Sequence, residues 1–175
     1  PRIITSSPMT AQYLAAYTSV RPYLPQGIIS PLPMSEIEDR YLEASAVFGV
    51  SEETLLQQWQ FKDSGAMSLA PCRERWCFHR ETNYAKVVTD LYACYFSRGS
   101  FNENQRQGCG RIPETHQNQL LRRFHALSTS WDEIEADYVY YGPWERQFST
   151  PGFRSDARLK LVYENPLVEI YQIRK

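Results

Sequence analysis

Glycine and serine motifs are the first place to look for chemistry, because phosphate cradles and nucleophile elbows need these residues at fixed spacings. Gly108 and Gly110 begin a G-x-G-x-x-G pattern, but Pro113 stands where a dinucleotide site needs its third glycine, and the preceding segment is polar. The sequence holds no G-x-x-x-x-G-K-[ST], no G-x-S-x-G and no Asp-x-Asp pair, and its three histidines are scattered. We therefore expect no nucleotide cofactor and no bound metal, and no catalytic residue stands out.

The four cysteines, Cys72, Cys77, Cys94 and Cys109, include no C-x-x-C pair. A zinc set could be drawn from three of them and His79, but structural zinc sites usually present two closely spaced ligand pairs. Cys72 and Cys77 fit a disulfide in an oxidising compartment and free thiols in a reducing one. Cys94 falls on the apolar face of a predicted helix. The thiol state therefore stays open between free thiols and a disulfide.

Aromatic residues are the clearest excess in the composition, at 14% of the chain with 12 tyrosines. Several fall near predicted strand ends or in loops, where α/β sheets build ligand crevices: Tyr17, Tyr23, Trp76, Tyr141 and Trp144. Their flat faces suit the C–H faces of sugar rings. They equally suit a role in closing the core with their polar tips in water, and this second interpretation is favoured.

The elements that must position these residues begin with a buried strand at 2–7 and a helix at 10–17. Residues 20–24 are predicted to be extended, and Pro22 favours a position at the sheet edge. Ser35 and Glu38 match a capping box. The helix that follows buries one face and ends at Gly49, and that face carries Ile37, Tyr41, Ala44 and Phe48.

The middle of the chain is less regular. A third helix begins at Ser51 and ends near Phe61. Residues 62–111 form a loop-rich insertion, with a helix from Thr82 until Gly99 and a polar loop at 99–111. Pro113 then begins a helix through Leu127.

The C-terminal third is rich in strands. Runs at 136–141, 159–164 and 168–173 are β-branched and aromatic, and Asn165-Pro166 turns the last two into an antiparallel hairpin. Together the elements predict an α/β fold with a mostly parallel, Rossmann-like sheet covered by helices and an antiparallel hairpin at its edge.

Length, charge and apolar runs limit the number of domains and the kinds of partner that we expect. With 175 residues the chain is expected to form one α/β domain, 1–175, around a single core. Its 19 basic and 20 acidic residues nearly cancel, so the chain has no excess of positive charge to attract nucleic acid. No apolar run reaches the ~18 residues of a membrane span, and the chain begins at Pro1 without a signal peptide, so we expect a piece of a longer protein.

Three segments, Ile3–Thr18, Ala136–Arg146 and Leu161–Tyr171, resemble the soluble C-terminal domain of GT-C type membrane glycosyltransferases. The first reads Ser-Pro-Met-Thr-Ala-Gln-Tyr-Leu-Ala-Ala-Tyr-Thr from Ser7 to Thr18. The second reads Asp-Tyr-Val-Tyr-Tyr-Gly-Pro-Trp-Glu-Arg, and the third reads Val-Tyr-Glu-Asn-Pro-Leu-Val-Glu-Ile-Tyr. The three segments cover about 40 of the 175 residues.

The resemblance implies that the parent enzyme, mannosyltransferase-like, takes its sugar from a polyprenyl phosphate outside the cytoplasm. Its catalytic carboxylate would lie in a loop outside this chain. This domain would then be non-catalytic, packing on the membrane-embedded remainder and shaping the site for the sugar or acceptor. The residues assigned to that role lie at strand ends of the resembling segments: Tyr17, Arg21, Tyr141, Trp144, Glu145 and Arg146.

Two other classes of protein stay open. One is a stand-alone Rossmann-like enzyme or small-molecule binder, for which the first loop, Ser6 to Thr10, lacks the expected glycine. The other is an interaction module with a cysteine-stapled loop.

Overall fold

A computed structural model describes residues 1–24, 32–59, 114–127 and 130–175. The chain divides into two compact units, one of Pro1–Glu52 with Leu120–Lys175 and the other of Glu53–Gln119. The predicted insertion at 62–111, with its helix, its polar loop and all four cysteines, lies outside the described residues.

The described residues form five strands, five α-helices and two 3₁₀ helices. The strands are β1 (Arg2–Ile4), β2 (Arg21–Pro22), β3 (Tyr138–Tyr141), β4 (Leu159–Glu164) and β5 (Glu169–Ile173). The α-helices are α1 (Pro8–Tyr17), α2 (Met34–Val47), α3 (Glu52–Trp59), α4 (Glu114–Ala126) and α5 (Glu145–Phe148). Two 3₁₀ helices lie at Trp131–Glu133 and Pro151–Ser155.

The five strands form one sheet in the order β2-β1-β3-β5-β4. β1 pairs in parallel with both β2 and β3, whereas β5 pairs antiparallel with β3 and β4. The fold is therefore mixed α/β, parallel at the start of the chain and antiparallel at its end. The edge position of Pro22 and the C-terminal hairpin are confirmed.

Helix α2 buries the face that its periodicity predicts: Ile37, Tyr41, Ala44 and the adjoining Phe48 are all at most 1% exposed. The capping-box prediction is wrong. The N-cap is Pro33, two residues before Ser35, and it makes no side-chain cap. Glu38 is instead buried and accepts from Arg123 of α4 at 2.7 Å, so its carboxylate joins two helices rather than capping one.

An aromatic cluster fills the core on one face of the sheet. Phe153 lies at its centre, with its ring centroid 5.0 Å from that of Phe48 and 4.9 Å from that of Tyr141. Trp131 and Tyr171 complete the set at 6.1 Å each. Because Tyr141 and Tyr171 belong to β3 and β5, this cluster fixes the end of α2 against the centre of the sheet.

Gly49 follows the end of helix α2 and has a backbone conformation that favours glycine. Its φ is +66°, in the left-handed region, and a Cβ there would overlap the hydroxyl of Thr150. The glycine therefore lets the chain leave α2 while lying directly against the segment that follows α5.

Candidate functional site

The ends of β1 and β3 bring two distant parts of the chain together. The two strands are parallel, with Ile4 opposite Val139, so their carboxyl ends meet at one edge of the sheet. The turn that follows β1 leads into α1, and Gly142 to Trp144 lead from β3 into α5. In open α/β sheets this edge is where ligands bind.

Local hydrogen bonds fix the turn between β1 and α1. Ser7 is the N-cap of α1, and its side chain accepts from the backbone N–H of Thr10 at 3.3 Å. The N–H of Ser7 in turn donates to the Thr5 hydroxyl oxygen at 3.1 Å. These contacts hold the side chains of Thr5 and Thr10 beside the start of α5.

Glu145 meets both of these threonines. Its side chain has no exposed surface, and its carboxylate accepts from the hydroxyls of Thr5 and Thr10 and from the N–H of Gly142, the last at 2.9 Å. Burial raises the pKa of this carboxyl above its usual value, and the hydrogen bonds oppose that rise only in part. Glu145 is therefore a buried carboxyl group, hydrogen-bonded at both oxygens, that connects the segments following β1 and β3 with helix α1.

The backbone beside this carboxyl is tightly enclosed. A Cβ at Gly142 would lie 2.6 Å from a ring carbon of Tyr140, so no larger residue fits without moving that ring. Tyr140 is half-buried, and burial followed by the neighbouring Glu145 charge raises the pKa of its phenol. The Tyr140 ring therefore lies directly against the turn that contains Gly142.

A pocket of about 200 Å³ opens beside these groups. The rings of Tyr13 and Trp144 form adjacent walls, with centroids 5.5 Å apart and planes tilted by 55°. The lining consists of Thr10, Tyr13, Tyr140, Pro143, Trp144 and Glu145. Drug-sized ligands need roughly 300–1,000 Å³, so this pocket fits one small ring rather than a nucleotide.

The structure brings only some of the predicted site residues to the pocket. Trp144 and Glu145 line it, and Tyr17 reaches it indirectly by stacking on Tyr13. Arg21 is exposed and lies opposite Arg2, the first residue of β1, which is the other end of these parallel strands.

Tyr141 and Arg146 belong to a separate cluster. The guanidinium of Arg146 and that of Arg154 lie 5.2 and 4.7 Å from the centroid of the Tyr141 ring. Each also donates to one carboxylate oxygen of the buried Glu169 at 2.9 Å. Both arginines are thus engaged in holding β3, β5 and the 3₁₀ helix at 151–155 together.

The pocket also uses residues that the sequence analysis did not select. Tyr13 could have been found, because it lies four residues before Tyr17 and so shares a helix face with it. Tyr140 could have been found from strand alternation, since it points opposite to Tyr141. Nothing in the sequence distinguishes Thr5 or Thr10, because their role depends on a carboxylate 140 or 135 positions away.

Metal binding and membrane crossing can both be assessed from the described side chains and helices. Within residues 1–24, 32–59, 114–127 and 130–175, no group of three or more His, Cys, Asp or Glu side chains is arranged to hold a metal ion. None of the helices described in those ranges is long and apolar enough to cross a membrane.

The fold and site together define a mixed α/β protein with a small aromatic pocket at the carboxyl edge of its parallel strands. No family model, curated protein or solved structure was found to match the chain.

Proposed function

We propose that this chain is the non-catalytic, carbohydrate-binding domain of a membrane glycosyltransferase and that its aromatic pocket receives one sugar ring. The observation that carries the proposal is the position, in the sequence, of the residues that line the pocket. All six lining residues fall in two of the three segments that resemble the GT-C type enzymes, Ile3–Thr18 and Ala136–Arg146. The resembling residues are therefore concentrated where a ligand can bind.

The chemistry of the lining supports a sugar. Tyr13 and Trp144 offer flat faces to the apolar side of a ring, and the hydroxyls of Thr10 and Tyr140 are hydrogen-bonding groups beside them. The pocket lies at the carboxyl ends of β1 and β3, as ligand sites do in Rossmann-like sheets.

The same lining supports a role in binding rather than in catalysis. Glu145 is the only carboxyl among the six lining residues, and its oxygens already accept from Thr5, Thr10 and Gly142. We assign Glu145 a positioning role: it holds the pocket walls, while the transferase reaction belongs to the membrane-embedded remainder of the longer chain, outside the cytoplasm.

Trp144→Ala is expected to weaken monosaccharide binding about tenfold, because it removes one wall of the pocket; a tenfold change corresponds to ~1.4 kcal/mol. Mannose, glucose and N-acetylglucosamine would each be titrated into the protein by ligand-observed NMR, with circular dichroism confirming that the variant is folded. Tyr163→Ala is the matched control, since this tyrosine is exposed on β4, away from the pocket. Absence of saturable binding, or equal affinities for wild type and Trp144→Ala, would contradict the proposal.

The membrane setting has its own test. An antibody raised against this domain is expected to detect a protein well above 20.4 kDa in the membrane fraction of the source cells. A soluble band near that mass would reject the glycosyltransferase assignment and leave a ligand-binding protein of another class.

A further inference from the structure

Aromatic rings continue out of the pocket along helix α1. Tyr13 is 40% exposed and Tyr17 is 80% exposed, yet their rings are stacked, with centroids 6.0 Å apart and planes only 15° from parallel. Tyr13 in turn lies against Trp144. The three rings form one row, the aromatic platform, from the pocket to the end of the helix.

The helix geometry explains the regular arrangement. Residues four apart lie on one helix face and are displaced by about 6 Å along its axis, which matches the stacked pair. Tyr17 is the last residue of α1, and the next residue, Thr18, donates its N–H and its hydroxyl to the carbonyl of Leu14. This cap holds the final turn, and with it the position of Tyr17.

A single exposed tyrosine needs no explanation, but this row is continuous with a pocket. The pocket holds one small ring at about 200 Å³, whereas Tyr17, which is 80% exposed, offers a further aromatic contact outside it. The ligand that uses both must be longer than one ring and must present flat, apolar faces in succession.

The lack of charged side chains along the helix that carries Tyr13 and Tyr17 limits the class of ligand that can bind. Residues 8–19 contain no acidic or basic side chain. Proteins that stack single-stranded nucleic acids on aromatic rings add a positively charged groove for the phosphates. The platform has no such charge along this segment, so it suits a neutral chain.

We infer that the bound ligand is an oligosaccharide, with its terminal ring in the pocket and a following ring against the exposed Tyr17. The inference rests on the proposed function, because the first ring occupies the same pocket. Tyr17 then determines the preference for chain length, and Trp144 contributes to the affinity for every sugar that enters the pocket.

The test compares a monosaccharide with its linear trisaccharide, using mannose with mannotriose and glucose with maltotriose. Wild type is expected to bind the trisaccharide at least fivefold more tightly. Tyr17→Ala is expected to remove that gain while changing the monosaccharide affinity less than twofold. Tyr17→Phe, which keeps the ring, should restore the gain, and Tyr163→Ala should match wild type on both ligands.

The outcomes separate the two proposals. Trisaccharide binding no tighter than monosaccharide binding, or an equal loss on both ligands in Tyr17→Ala, would overturn the inference and leave the proposed function intact if Trp144→Ala still weakens the monosaccharide. If neither sugar series binds, both proposals fail.

Discussion

Phe48→Ala is expected to lower the free energy of unfolding by about 4 kcal/mol. Phe48 has no exposed surface, and its ring contacts those of Trp131 and Phe153. Alanine would leave a cavity between rigid aromatic rings, which cannot collapse to fill it. Urea denaturation monitored by tryptophan fluorescence would measure the loss.

Phe48→Leu is the control for this prediction. Leucine keeps most of the buried volume, so the expected loss falls to about 1.5 kcal/mol. A loss below 1 kcal/mol for the alanine variant, on the scale of a surface substitution, would contradict the aromatic cluster as the link between α2 and the sheet.

Local patterns predicted most of the described elements. The face of α2 follows from a 3.6-residue period, and the edge position of Pro22 follows from its missing N–H. The hairpin follows from Asn165, whose side chain accepts from the N–H groups of Leu167 and Val168 at 2.9 and 2.7 Å. These features depend on residues within one turn or one strand of each other.

Predictions for side chains whose partners are distant in the sequence were less accurate. Ser35 and Glu38 have the spacing of a capping box, yet the Glu38 carboxylate binds Arg123, 85 residues away. Local spacing predicts a cap, whereas the ion pair forms only on folding and sequence spacing carries no information about it.

The candidate site was predictable to a similar extent. Trp144 and Glu145 were selected because they follow a strand, and both line the pocket. Tyr141 was selected on the same ground, but strand alternation turns its ring towards Phe153 in the core instead. Position at a strand end identifies the edge of the sheet, whereas the direction of each side chain decides which residues share a pocket.

Glu145→Ala is expected to lower the free energy of unfolding by about 3 kcal/mol. The change leaves the hydroxyls of Thr5 and Thr10 and the N–H of Gly142 without their acceptor in a site closed to water. Glu135→Ala is the matched control, because that side chain is 79% exposed and its removal should cost less than about 0.5 kcal/mol. Equal effects in the two variants would contradict the buried network.

The pH dependence of the same carboxyl gives a second, independent measurement. Because burial raises the pKa of Glu145 in the folded state, the folded protein holds this proton more tightly than the unfolded chain does. Stability from this group is therefore fully present below the unfolded pKa of about 4.3 and falls as pH rises through the higher folded value. Glu145→Gln cannot titrate, so the stability of wild type relative to this variant should decrease over that range. An increase would mean that the hydrogen bonds outweigh burial and that Glu145 is a stabilised anion at the base of the pocket.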